Sequence, residues 1–156
     1  MLIDTTAAIR QCPFFEEFQP RHVEKFISAG SEVRFTKDEI IFREGEDSRL
    51  FYVIVSGKVA LEATLAGRKR LVQTLCAGSE LGWSAPLKFE RAFQARALEN
   101  VHALAFDVAD IDAACEGNPY FKAAFLKRMF TVVAERLQST LQLAAAMAGS
   151  KADNGT

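Results

Sequence analysis

Between Leu75 and Ala97 the chain sets two glycines, Gly78 and Gly82, ahead of a short apolar segment, Trp83 to Leu87, and then an arginine, Arg91. Glycines so placed suit a backbone that takes positive φ or approaches another group closely. Trp83 to Leu87 reads as a single helical turn, since Pro86 is tolerated early in a helix. A glycine turn, the free amides of a helix start and an arginine a few residues on can build an anion site. The same spacing also fits a surface hairpin loop with a scattered arginine, and short motifs of this kind often mislead. Other chemistry has thinner support. His22 and His102 are the only histidines and fall in different elements, which does not suit a metal centre. Cys12, Cys76 and Cys115 lack the spacing and the fourth ligand of an iron–sulfur cluster and read as small apolar residues. Arg68-Lys69-Arg70 is a basic run at a hairpin tip that solvation explains. No nucleophile–base pair stands out, so an enzyme is not expected.

The composition around this stretch is that of a globular domain. Apolar residues make up 49% and charged residues 25%, too balanced for disorder, and 156 residues suffice for one domain with its own core. A net charge of −1 supplies no general attraction to nucleic acid or to an anionic membrane. An odd number of cysteines completes no disulfide framework and suits a reducing cytoplasm. The acidic N-terminus has no long apolar core, and no run is long enough to span a bilayer, so neither a signal peptide nor a membrane segment is expected.

The elements that must position the Gly82–Arg91 stretch follow from the hydrophobic period. Asp4 to Gln11 reads as a short helix stopped by Pro13, with Phe14, Phe15 and Phe18 as an apolar cluster. Pro20 to Ala29 reads as a second helix, with Val23, Phe26 and Ile27 on one face and Gly30 ending it. From Glu32 to Phe106, β-branched and aromatic runs alternate with turn residues, giving about seven or eight short strands, the pattern of an all-β roll or sandwich. Helical period returns after Asp107, a cap for a short helix through Cys115. Pro119 then starts a long helix to Met147 or Ala148. That helix carries two apolar stripes. Phe121, Phe125, Met129 and Val132 form one. Leu126, Phe130, Val133, Leu137, Thr140, Ala144 and Met147 form the other, in alternating steps of four and three, which is an a/d seam interrupted only by Thr140. One stripe can cover the β domain while the other meets a partner.

Several stretches carry a likeness. They are Phe35-Thr36-Lys37-Asp38-Glu39-Ile40-Ile41-Phe42-Arg43-Glu44-Gly45, Phe51-Tyr52-Val53-Ile54-Val55-Ser56-Gly57-Lys58-Val59, and Gly78 with Gly82. Arg96-Ala97, Asn118-Pro119 and Arg136-Leu137-Gln138-Ser139-Thr140 accompany them. In this order and spacing they resemble the cyclic nucleotide-binding domain family, the sensor domain of catabolite-activator-like and oxygen-sensing bacterial regulators. The likeness runs from Cys12 to about Met147. It implies a mainly β fold, an eight-stranded antiparallel β-roll of jelly-roll type with N-terminal helices and a long C-terminal dimerisation helix. Residues 1–148 would form a single domain (1–31 helical lead-in, 32–106 β-roll, 107–148 C-terminal helices) and 149–156 a flexible tail. The ligand-binding positions it points to are Gly82, Trp83, Ser84, Arg91, Ala92 and Thr140, and the dimer interface is expected at Leu126, Phe130, Val133, Leu137, Thr140 and Ala144.

The resemblance also shows where the chain departs. Family members that bind cyclic AMP or cyclic GMP carry a glutamate after the second glycine, which accepts from the ribose 2′-hydroxyl. Here Trp83 stands there, and its ring accepts nothing. Arg91 matches the arginine that pairs with the cyclic phosphate, through a loop one residue short, and Ala92 falls on a small hydroxyl residue. Thr140 matches a base-facing hydroxyl, with Leu141 beside it, and Asp38 stands at a turn glycine. The expectation is a non-enzymatic, cytoplasmic, homodimeric regulatory module that senses a small anionic ligand and takes cyclic AMP or cyclic GMP poorly. It would act on an unidentified protein partner and not on nucleic acid or membrane, and no DNA-binding output domain would follow the long helix. No metal or other cofactor is expected beyond a cyclic nucleotide or similar anion as ligand. The alternative is a structural or protein-interaction β-roll with a vestigial pocket that binds no small molecule.

Overall fold

The period-two segment becomes eight strands: β1 (Ser31–Phe35), β2 (Ile40–Phe42), β3 (Leu50–Ser56), β4 (Val59–Leu65), β5 (Arg68–Leu75), β6 (Glu80–Leu81), β7 (Gln94–Ala97) and β8 (Val101–Asp107). The structure is a computed structural model; it describes residue 7, residues 10–16 and residues 18–149, with the backbone of residues 150–153. The helix expected over Asp4 to Gln11 lies for the most part outside the described residues. The strands form two antiparallel four-stranded sheets, in the orders β1-β8-β3-β6 and β2-β7-β4-β5. This is the eight-stranded roll expected.

Strand β3 explains how the layers stack. Phe51, Tyr52, Val53 and Ile54 are all buried in succession, which an alternating strand allows only if both of its faces are covered. Phe51 and Val53 join Leu104 and Phe106 in one apolar cluster, beneath the helices. Tyr52 and Ile54 join Ala103, Ala105 and the residues of the second sheet in another, inside the roll. Register then places the next strand. Glu80 of β6 lies opposite Val53, and Leu81 opposite Tyr52. Cross-strand partners share a face, so Glu80 is aimed at the helices although it is a carboxylate.

The helices are α1 (Pro20–Ser28), α2 (Ser84–Leu87), α3 (Val108–Gly117) and α4 (Pro119–Asp153), with a 3-10 turn at Pro13–Phe15. The Phe14, Phe15 and Phe18 cluster packs on Phe26 of α1, Phe51 of β3 and Phe121 and Phe125 of α4, with ring centroids 4.9–6.4 Å apart. Asp107 caps α3 by accepting from the Ala109 amide at 2.9 Å. Asn118 caps α4, accepting from Tyr120 and Phe121, while its amide meets buried His22 at 2.7 Å. His22 is thus a satisfied core residue. Helix α4 runs past the expected end near Ala148 to Asp153. Gly149 is not among the positive-φ glycines, so it makes no left-handed cap and the helix continues through it at the modest cost of an interior glycine.

Two turns show why residue type was informative. Ala66 and Gly67 both have positive φ, 52° and 76°, the backbone of a two-residue primed hairpin turn between β4 and β5. Asp38, at the position of a turn glycine, takes φ 73° itself, a conformation that aspartate tolerates better than most side chains. Its amide donates to the Ala97 carbonyl at 2.8 Å, and its carboxylate lies 3.6 Å from Arg96. The hairpin geometry is therefore kept without the glycine.

Candidate functional site

The segment after β5 folds as its glycines require. Gly78 and Gly82 both have positive φ, 89° and 90°, and between them β6 is only two residues long. A side chain at Gly82 would be blocked as well as strained: a Cβ there would sit 2.7 Å from the Arg91 Nη1 and 3.0 Å from the Leu50 carbonyl. Trp83 then turns into α2, which ends at Lys88 in a left-handed conformation with φ 61°. The loop beyond brings Arg91 back under the glycine.

Arg91 is buried, and its guanidinium is used within the fold. Nη1 donates to the Gly82 carbonyl at 3.2 Å and Nη2 to the Leu50 carbonyl at 2.7 Å. Its plane lies over the Phe42 ring, with Cζ 4.1 Å from the centroid. Burial pulls its pKa below the ordinary arginine range, with Tyr52 and Glu46 acting the other way. Its backbone is pinned too, by the Glu46 carbonyl and the Gly45 amide, each at 2.9 Å. The partners are thus carbonyls and an aromatic face, not Glu80 or Glu90, the pairs that a simple ion-pair reading would choose.

Of the residues expected to bind ligand, Gly82, Trp83, Ser84 and Ala92 line a common gap, and Arg91 lies behind Gly82. The gap holds about 10 Å3, room for about one water molecule. Trp83 is half-buried and packs on the aromatic cluster under the helices. Thr140 does not line the gap; its hydroxyl donates to the Arg136 carbonyl one turn back, at 2.7 Å. The side chain that reaches the gap from the long helix is Arg136.

Arg136 belongs to a buried charge network that sequence reasoning missed. Its Nη2 donates to the Glu80 carbonyl at 3.0 Å and its Nη1 to Gln73 at 3.1 Å, with the Glu80 carboxylate 4.0 Å away. Arg128, two turns earlier on α4, donates to the same carboxylate at 3.0 Å. Burial lowers the Arg136 pKa and the neighbouring Arg128 adds to that, while Glu80 and Glu135 oppose it. Glu80 and Arg136 are only 2% and 3% exposed, so this network, not the surface ion pairs, ties α4 to β6, the strand that opens the cassette formed by Gly78 to Arg91. The one available sequence signal was a carboxylate at an inward position of an apolar strand.

The model of the cyclic nucleotide-binding domain matches residues 32–118, more than half of the chain. The chain belongs to that family. No curated protein matches it significantly. Among solved structures, it is similar to the N-terminal domain of a transcriptional regulator from Streptomyces coelicolor, 25% identical over 85% of this chain and 94% of that one, with a TM-score of 0.69. It is similar also to the catabolite activator protein of Thermus thermophilus, 25% identical with a TM-score of 0.72. Here 87% of this chain is covered and it spans 63% of the Thermus protein. A Geobacter metallireducens protein provisionally assigned as cyclic nucleotide-binding shares the fold, with 20% identity and a TM-score of 0.74 over 87% of this chain and 99% of that one.

In this cyclic nucleotide-binding domain the long helix presents its two stripes as the spacing predicts. Phe121, Phe125, Met129 and Val132 are buried against the roll. On the adjoining face Leu126, Phe130, Leu137 and Ala144 are exposed, and Val133 and Thr140 are half-buried. Five of the eight exposed large apolar side chains among the described residues lie on this one helix, Tyr120 and Leu141 being the other two. No helix among the described residues is long and apolar enough to cross a membrane, and no cluster of histidine, cysteine and carboxylate gathers there for a metal.

Proposed function

We propose that this chain is a non-enzymatic regulatory module of the cyclic nucleotide-binding type. In this reading residues 1–148 act as one domain, which works as a cytoplasmic homodimer through the exposed face of α4 and signals to a protein partner. Its cassette does not take cyclic AMP or cyclic GMP with the usual affinity. The observation that carries this is the state of the cassette: Trp83 stands where the ribose acceptor is expected, and about 10 Å3 remains beside it. The ligand class best suited is an acidic molecule with an aromatic or apolar body. A carboxylate or phosphate would replace the Gly82 and Leu50 carbonyls on Arg91 with a charged acceptor, a hydrogen bond about twice as strong as a neutral one. Trp83 and Phe93 would supply the apolar wall.

One observation favours a second reading, in which the cassette is purely structural. Both Nη atoms of Arg91 already have carbonyl partners, and its guanidinium stacks on Phe42. One experiment separates the two. Trp83 is the only tryptophan, so its fluorescence reports on the cassette alone. A screen of acidic metabolites is expected to yield a ligand that shifts or quenches it, with the response lost in Arg91→Ala. A flat signal across the screen, together with a lower melting temperature for Arg91→Ala, supports the structural reading instead.

A further inference from the structure

Phe130 is 83% exposed, the most exposed large apolar side chain among the described residues, although it sits in the middle of a helix anchored at Phe125, Met129 and Val132. It stands as a ridge between two hollows. One, of about 290 Å3, is bounded by Leu87 of α2 and by Leu126, Met129, Phe130 and Val133 of α4, all of them apolar. The other, of about 440 Å3, lies on the far flank of Phe130 along Leu126, Lys127 and Ala134. A ridge flanked by hollows on one helix face is the arrangement that knobs-into-holes packing uses. Leu126, Phe130, Val133, Leu137, Thr140 and Ala144 carry no charge and advance in steps of four and three, which suits a second, identical helix laid parallel. A two-fold interface must be self-complementary, and here the knob and the wall of the hollow are the same residue.

We propose that the 290 Å3 hollow between α2 and α4 is the seat of the partner's Phe130, so that the cassette helix, through Leu87, forms part of the dimer interface. The proposal rests on the homodimer reading above and adds to it a contact outside the α4 seam. Its consequence is reciprocal coupling. Helix α2 begins directly after Trp83 and ends four residues before Arg91, so whatever displaces α2 must alter dimer stability, and dissociation must alter the surroundings of Trp83.

The test uses the full chain in sedimentation equilibrium, with Trp83 emission followed on dilution through the dimer dissociation constant. Leu87→Ala is expected to raise that constant by about tenfold and Phe130→Ala by about thirtyfold or more, aromatic anchors being the usual hot spots. Because the two side chains would touch, the double variant should dissociate little more readily than Phe130→Ala alone. Thermal melts confirm that each variant is folded. Trp83 emission should shift as the natural chain dissociates, and this second readout needs no substitution. A dimer that is indifferent to Leu87→Ala, or that shows additive effects and an unchanged Trp83 emission on dissociation, overturns the proposal and leaves the α4 seam standing. A natural chain that is monomeric throughout overturns the homodimer reading itself, and this proposal with it.

Discussion

Replacing Glu80 by alanine is expected to destabilise the fold by about 3–5 kcal/mol, the usual cost of removing one partner from a buried ion pair. The size follows from what is left behind. Arg128 and Arg136 would keep their charges under the helix, with no carboxylate within reach on β6. The Nε atoms of both already lack a hydrogen-bond partner, and the Glu135 carboxylate, 3.9 Å from Arg136, is half-exposed and a poor replacement for a buried one. Glu80→Gln, which keeps an acceptor for Arg128 and loses the charge, should cost roughly half as much. Urea denaturation checks this: the midpoint should fall with the slope unchanged. A loss below about 1 kcal/mol would show that the pair is open to water in solution. Because the network is what ties α4 to β6, the same variant should also weaken the dimer with no change on the dimer seam.

That network also marks the limit of what was legible in the sequence. The strands were legible because most β runs are apolar and the turns between them carry glycine, aspartate or asparagine. Glycines at 57, 67, 78 and 82, each with positive φ, punctuate the roll where turn chemistry demands. The two stripes of α4 were legible because one helix repeats its spacing over many turns. By contrast, Glu80 meets Arg128 and Arg136 across 48 and 56 residues, and all three are types that usually lie at the surface. No local period encodes such a pair; only the register of β6 on β3 does, and register is a tertiary fact. The fate of Arg91 was hidden for the same reason. Its charge suggested a carboxylate or a ligand, whereas the carbonyls that engage it belong to a glycine turn and to the start of β3. Thr140 lies on the correct helix, yet its hydroxyl turns back onto the helix's own backbone, as threonines in helices often do.

A second large effect is expected at Leu137, a seam residue that is 57% exposed and makes little contribution to its own domain's core. In the proposed homodimer, Leu137→Asp would bury two unpaired carboxylates facing one another, one from each copy. The cost to association is several kcal/mol, or about two to three orders of magnitude in the dissociation constant. The folded monomer should be nearly unaffected, since an exposed position tolerates the charge. Light scattering at roughly tens of micromolar should report a dimer for the natural chain and a monomer for the variant, with similar melting curves extrapolated to low concentration. A natural chain that scatters as a monomer at that concentration would contradict the proposed dimer. The exposed face of α4 would then have to be covered by a different protein.

In the proposed reading the family's cassette is kept in shape and changed in chemistry. Gly82, the single turn of α2 and Arg91 remain, but Trp83 stands where the resemblance places the ribose acceptor, and about 10 Å3 is left beside it. Calorimetric titration of the natural chain with cyclic AMP and with cyclic GMP tests this most directly. A ribose hydroxyl left without its acceptor costs about 1–3 kcal/mol, and displacing Trp83 adds to that. No measurable heat is therefore expected at low micromolar concentration of either cyclic nucleotide. A saturable isotherm with a sub-micromolar dissociation constant for either one would contradict it, and would show that Trp83 gives way to the sugar.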